Sequence, residues 1–145
     1  MLKGIPTILS PELVKTLMEM GHGDEICLGD GNFPHASMNS RILRCDGHGV
    51  PELLEAILTL MPLDIYVGKP VVLMEVVPGD TVKTPIWDTY KVIIAKHDAR
   101  GAATVENIER FAFYERARHC FAVVATGERA LYANVILKKG VVVGD

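Results

Sequence analysis

Cysteine is scarce in this sequence, and its spacing argues against the usual cysteine-based frameworks. The three cysteines, Cys27, Cys45 and Cys120, are odd in number and far apart, with no CxxC pair. They predict neither a disulfide scaffold nor a cysteine metal site, and free cysteines of this kind are usually buried in the core. Four histidines also lack a spacing that groups them with carboxylates around a metal: His35, His48, His97 and His119. We expect no metal and no cofactor.

Clusters of positive charge and long apolar runs are also missing. The net charge is −3 at pH 7, and Lys and Arg are scattered along the chain. This argues against a nucleic-acid surface or a patch for anionic membranes. No apolar run approaches the ~20 residues of a membrane-spanning helix, and residues 1–6 lack the layout of a signal peptide. We therefore predict a cytoplasmic protein with neither a nucleic-acid nor a membrane partner.

Length and periodicity predict one α/β domain. The 145 residues, nearly half of them apolar, suffice for one complete core. Helical spacing is found at 11–20, 51–61 and 87–96, with a helix or turn at 114–119, and strand patterns lie at 26–28, 41–45, 71–77, 121–126 and 132–137. Because helices and strands alternate, we predict a three-layer αβα sandwich around a central sheet, as a single domain over residues 1–145.

Two polar segments interrupt this apolar chain near its ends. His22 follows the first predicted helix, and Asp30 follows the strand at 26–28. Imidazole and phenol groups exchange protons, and Asp and Asn side chains bind hydroxyl groups. Four further polar side chains lie near the C-terminal end: Arg110, Tyr114, Tyr132 and Asn134. Together with His22 and Asp30, these side chains fit a neutral polyhydroxylated substrate.

Five segments in order resemble the ribose pyranase/fucose mutarotase family over nearly the whole chain. They lie at 21–25, 30–34, 110–116, 125–128 and 132–141, and Asn32-Phe33-Pro34 and Phe113-Tyr114-Glu115-Arg116 are similar to its L-fucose mutarotase branch. The resemblance implies a Rossmann-like αβα fold and an isomerase that interconverts the α and β anomers of L-fucose or a related monosaccharide. It also implies self-association into a ring, commonly a decamer, with active sites shared between neighbouring subunits.

Mutarotation opens a cyclic hemiacetal, so it needs an acid and a base but no redox group, phosphate or metal. The resemblance places the proton donor at His22. Tyr114 is the predicted catalytic partner, and Tyr132 is the alternative for that second role. The positions implied to bind the sugar are Asp30, Asp64, Met74, Arg110, Tyr132 and Asn134.

Simpler interpretations of these residues stay open. His22 can be a helix cap that interacts with the dipole, Asp30 and Asp64 can be Asx-turn residues, and the tyrosines can serve packing alone. At the level of the whole protein, the alternatives are a D-ribose pyranase and a non-catalytic ring protein that binds monosaccharides. An acid/base pair separates the enzyme from the binding protein, since binding needs hydroxyl ligands only.

Overall fold

The computed structural model describes residues 1–144, where each predicted helix and strand has a counterpart. One 3-10 turn, Gly101–Thr104, precedes the fourth strand. The strands within this part of the chain are β1 (Glu25–Gly29), β2 (Ile42–Cys45), β3 (Val71–Met74), β4 (Val105–Ile108), β5 (Ala122–Thr126) and β6 (Val135–Lys138). The α-helices are α1 (Pro11–Glu19), α2 (His35–Met38), α3 (Val50–Leu60), α4 (Pro85–His97) and α5 (Arg110–His119).

The six strands form one mixed sheet in the order β2-β5-β1-β6-β3-β4. All neighbouring pairs are parallel except those of β6, which runs antiparallel to β1 and β3. Side chains alternate between the two faces, so Ile26 and Leu28 face α1, α3 and α4, whereas Cys27 faces α2 and α5. This arrangement confirms the predicted three-layer αβα sandwich.

Three local features differ from the sequence-based expectation. Helix α5 begins at Arg110 rather than near 114, because the Glu109 carboxylate caps it by accepting from the N–H groups of Phe111 and Ala112 at 2.8 and 3.1 Å. Strand β3 ends at Met74, and residues 75–84 form an irregular loop, which we call the 75–84 loop. Helix α2 has four residues, too few for a detectable helical period.

The three cysteines are buried and unpaired, as their spacing predicts. None of the helices in residues 1–144 has both the length and the apolar character needed to cross a bilayer.

Candidate functional site

A cavity of about 230 Å³ opens at the edge of the sheet where the parallel strands end. It is smaller than the ~300–1,000 Å³ of pockets for drug-sized ligands, so it suits a small molecule. Polar ends of strands and helices surround an apolar floor. Its lining residues are Asp30, Asn32, Phe33, Met74, Asp80, Arg110, Tyr114, Leu131, Tyr132 and Asn134.

Asp30 and Asn134 form the buried polar centre of this cavity. Asp30 directly follows β1 and Asn134 directly precedes β6, and the Asp30 N–H donates to Asn134 Oδ1 at 2.8 Å. The Asp30 carboxylate accepts from the Asn32 N–H at 2.9 Å. Burial raises the pKa of Asp30 above its ordinary value, and the hydrogen bonds from backbone N–H groups only partly oppose this rise. The Ala133 N–H is a further partner of the Asp30 carboxylate, whose remaining lone pairs and the Asn134 amide N–H groups are left to bind a ligand.

Helix α5 contributes Arg110 and Tyr114 from adjacent turns. Arg116 fixes the helix to β1 through a bidentate pair with Glu25, with Nη2–Oε2 at 2.7 Å and Nε–Oε1 at 3.1 Å. The Tyr114 ring packs against Phe33 at a centroid distance of 5.7 Å. Within residues 1–144 the Tyr114 hydroxyl makes no hydrogen bond. Both α5 side chains can therefore meet a ligand.

Tyr132 reaches the cavity from a left-handed backbone conformation, with φ of +56°. Such a conformation is unfavourable for a tyrosine and is found where the surroundings fix it. Its hydroxyl donates to Asp80 Oδ2 at 2.6 Å. Asp80 belongs to the 75–84 loop and was not identified from the sequence, since an aspartate after Pro-Gly resembles an ordinary turn residue.

His22 and Asp64 form a separate pair at the opposite edge of the sheet. His22 Nε2 lies 3.0 Å from Asp64 Oδ1, and the His22 side chain is 45% exposed whereas that of Asp64 is 4% exposed. Burial raises the pKa of the Asp64 carboxyl, but hydrogen bonds from the Tyr66 N–H and His22 outweigh it and leave the pKa below its ordinary value. Asp64 is therefore a carboxylate that orients a half-exposed imidazole.

The direction of β1 separates these two groups within one chain. His22 precedes β1 and Asp30 follows it, and the strand alone spans about 13 Å at about 3.3 Å per residue. The cavity thus brings together six of the residues predicted from the sequence and omits His22 and Asp64. The six are Asp30, Met74, Arg110, Tyr114, Tyr132 and Asn134.

His35 supports the cavity from behind without lining it. Its ring packs edge-on against Phe33 at a centroid distance of 5.3 Å. A side chain at Gly29 would lie 2.6 Å from His35 Nε2 and 2.8 Å from the Phe33 ring, so only glycine fits at this end of β1. Nε2 of His35 is buried without a hydrogen-bond partner in residues 1–144. Burial lowers the pKa of His35, with Asp30, Arg44 and Asp46 as the nearby charges.

A larger groove of about 670 Å³ lies along α1, and its titratable side chains, Lys15 and Glu19, are exposed and paired with each other at 3.5 Å. Apolar side chains such as Met1, Leu2, Ile5 and Met18 line most of it. We therefore place the candidate site at the smaller polar cavity. No group of three or more metal-ligating side chains occurs in residues 1–144.

Fold and site together define a small αβα protein with a polar pocket at the ends of its strands. The family model described as the RbsD / FucU transport protein family matches residues 3–142, and the chain belongs to this family.

Similar proteins cover nearly the whole chain. A fucose mutarotase of Mus musculus is 53% identical, with 96% of this chain and 94% of that protein covered. The crystal structure of FucU from Bifidobacterium longum has a TM-score of 0.96 at 58% identity, covering 97% of this chain and all of the other. The fucose mutarotase of Streptococcus pneumoniae, solved in complex with L-fucose, has a TM-score of 0.91 at 54% identity. The match covers 98% of this chain and 100% of the other.

The buried His35 predicts a pH-dependent stability. Because its pKa in the folded state is lowered from about 6.5, the unfolded chain binds more protons below that pH, and the stability falls as the pH falls. We expect the thermal midpoint to drop between about pH 7.5 and about pH 5.5, and His35→Gln to reduce this drop. His119→Gln is the control, since the His119 side chain is 76% exposed. An unchanged pH slope in His35→Gln would show that other groups cause the effect.

Proposed function

We propose that this protein is an L-fucose mutarotase, an isomerase that interconverts the α and β anomers by opening and closing the sugar ring. The observation that carries the proposal is the His22–Asp64 pair, because a protein that only binds sugar needs no oriented acid/base group. The cavity supports the choice of substrate. Asp30, Asn134 and Arg110 offer ligands for hydroxyl groups, and Met74 with Phe33 offers apolar surface for the methyl group that L-fucose carries at C5.

The hydrogen bond to Asp64 determines which His22 nitrogen does the chemistry. A carboxylate only accepts hydrogen bonds, so the shared hydrogen resides on His22 Nε2. In the neutral ring Nδ1 is then the basic nitrogen, and it becomes a proton donor when the ring is protonated. The buried carboxylate also fixes the orientation of the imidazole ring, as in other carboxylate–histidine pairs.

Tyr114 is the second proton-transfer group in this proposal. Its hydroxyl is free of protein partners in residues 1–144, whereas the Tyr132 hydroxyl is already bonded to Asp80. That bond is the largest cause that raises the pKa of Tyr132, so this phenol gives up its proton less readily. Tyr132 therefore binds the sugar and Tyr114 moves the proton.

Ring opening then requires two balanced proton transfers. His22 gives a proton to the ring oxygen as the bond from that oxygen to C1 breaks. The anomeric hydroxyl gives its proton to the Tyr114 oxygen while the phenol passes its own hydrogen to solvent, and the anomeric oxygen becomes the carbonyl oxygen of the open form. Rotation about the bond from C1 to C2 presents the other carbonyl face, and the reverse transfers close the ring. Two such groups, each contributing about 10²–10⁴-fold, suffice for a reaction that also proceeds unaided.

We further propose that each site is completed by two subunits of a ring, of which the decamer is the predicted size. The separation of His22 and Asp64 from the cavity supports this, since one chain cannot bring them to the same sugar. Exposed apolar side chains support association: Val142 and Val143 are 82% and 76% exposed, and Ile65 and Tyr66 beside His22 are 58% and 72% exposed. The C-terminal valines therefore lie outside the chain's own core.

Other parts of the proposal concern the whole chain. We treat residues 1–145 as one mutarotase-like domain, supported by a single sheet that joins the first and last strands. The cytoplasmic location stays a prediction. A D-ribose pyranase and a non-catalytic sugar-binding protein remain the competing functions. Exchange spectra of L-fucose and D-ribose, recorded with and without protein, separate all three.

The first functional prediction concerns His22. We expect the wild-type protein to accelerate anomer exchange of L-fucose in magnetization-transfer NMR, and His22→Ala to lower the rate by about 10²–10⁴-fold, because the proton donor is removed. His119→Ala, an exposed histidine, serves as the control and retains the wild-type rate. If His22→Ala exchanged L-fucose at the wild-type rate, His22 would be only a turn or helix-cap residue. If the wild-type protein accelerated the exchange of D-ribose alone, the pyranase function would be favoured.

The second prediction separates the two tyrosines. Tyr114→Phe keeps the ring packed on Phe33 but removes the hydroxyl, so we expect kcat to fall while KM for L-fucose changes little. Tyr132→Phe removes a binding group, so we expect mainly KM to rise. Saturation curves from exchange NMR give both constants. Normal turnover in both variants would contradict a catalytic or binding role for either phenol.

A further inference from the structure

Tyr132 is held by contacts at both its backbone and its hydroxyl. Its φ of +56° is unfavourable for a side chain of this size. Trp87 Nε1 donates to the Tyr132 carbonyl oxygen at 2.8 Å. The hydroxyl is bonded to Asp80 Oδ2 at 2.6 Å and accepts from the Val77 N–H at 3.4 Å. The 75–84 loop thus fixes the position of the phenol oxygen in the cavity.

Asp80 also determines the direction in which the Tyr132 hydroxyl bonds. An ionised carboxylate has no hydrogen to give, so the phenol must donate to Asp80. The single hydroxyl hydrogen is then used, and a ligand in the cavity meets only a lone pair of the Tyr132 oxygen. This hydrogen bond is the largest cause that holds the pKa of Asp80 below its ordinary value, which keeps Asp80 in the accepting form.

We propose that Asp80 is a specificity-determining positioning residue, which makes Tyr132 accept a hydrogen bond from one sugar hydroxyl and reject groups that cannot donate. The proposal rests on the proposed function only in taking L-fucose as the ligand. Asp80 itself acts through Tyr132 and transfers no proton.

The second oxygen of Asp80 determines how an asparagine at this position would be oriented, so the direction of the hydrogen bond to Tyr132 can be tested by substitution. Oδ1 accepts from the Val82 N–H at 3.0 Å, and this turn keeps the side chain oriented. In Asp80→Asn the amide oxygen takes this bond, so the amide NH2 lies at the former Oδ2 position and donates to the Tyr132 oxygen. The phenol hydrogen is then free to point into the cavity. The substitution therefore reverses the bond with almost no change in shape.

Fluorinated sugars report this reversal, because carbon-bound fluorine accepts weakly and never donates. We would measure the Kd of L-fucose and of its analogues with fluorine in place of the C2, C3 or C4 hydroxyl, by titration calorimetry. In the wild-type protein we expect fluorine at the position that meets Tyr132 to weaken binding about 3- to 10-fold. In Asp80→Asn the weakening at that position should fall below about 2-fold, with the other positions unchanged.

Three comparisons make the result decisive. Asp88→Asn removes the same charge from an exposed site outside this cavity and should retain every wild-type ratio. Tyr132→Phe should lose the fluorine effect at the same position as Asp80→Asn, and where its binding is too weak to titrate, Asp80→Asn decides alone. Equal ratios in the wild type and Asp80→Asn, a change at a different position from Tyr132→Phe, or the same change in Asp88→Asn would each overturn the proposal.

Exchange NMR on the same samples distinguishes a failure of the Asp80 proposal from a failure of the mutarotase proposal. Binding of L-fucose without accelerated exchange would overturn the mutarotase proposal, and the fluorine ratios would still decide the role of Asp80. Accelerated exchange with unaltered fluorine ratios would overturn only the role of Asp80. A wild-type protein that binds no L-fucose would overturn both.

Discussion

The antiparallel insertion of β6 between β1 and β3 is the constraint on which the rest of this molecule depends. Because β6 runs against its neighbours, its first residues meet the end of β1, and Asn134 accepts from the Asp30 N–H at 2.8 Å. Its last residues meet the start of β1, where Gly23 donates to the Lys139 carbonyl oxygen at 2.8 Å and Asp64 donates to that of Lys138 at 3.0 Å. One strand thus builds both polar edges of the sheet, the cavity at one edge and the His22–Asp64 pair at the other.

This arrangement places the two parts of the proposed chemistry too far apart to serve one sugar in an isolated chain. The cavity holds the proposed sugar-binding residues and the Tyr114 phenol, whereas the imidazole lies beyond the opposite end of β1. The proposed assembly would bring one edge of a subunit to the other edge of its neighbour and so resolve this separation, and head-to-tail contacts of this kind form a ring when the rotation closes. The exposed valines at the C-terminus and the exposed Ile65 and Tyr66 beside His22 are consistent with such contacts.

Local patterns in the sequence predict the sandwich well, because its strands are short buried runs and its longer helices have clear apolar faces. The boundary of α5 could not be predicted, since the cap at Glu109 depends on backbone N–H groups that the helical period does not reveal. The sequence placed Asp30, Tyr132 and Asn134 together through family resemblance, and the structure explains their proximity by strand direction. Asp80 was missed because its role depends on a contact with Tyr132, 52 residues away. The buried state of His35 depends likewise on packing against Phe33 and Gly29.

Mixed assemblies test most directly the claim that two subunits complete each site. His22→Ala would be co-expressed with the double variant Tyr114→Phe/Arg110→Met, each with its own affinity tag, so that only assemblies containing both chains are purified and assayed by exchange NMR. Random mixing leaves about a quarter of the shared sites with an intact His22 edge and an intact cavity, so the account predicts about a quarter of the wild-type rate from two nearly inactive variants. A mixed assembly no more active than the average of its two parent variants would contradict the account and place each complete site within a single chain.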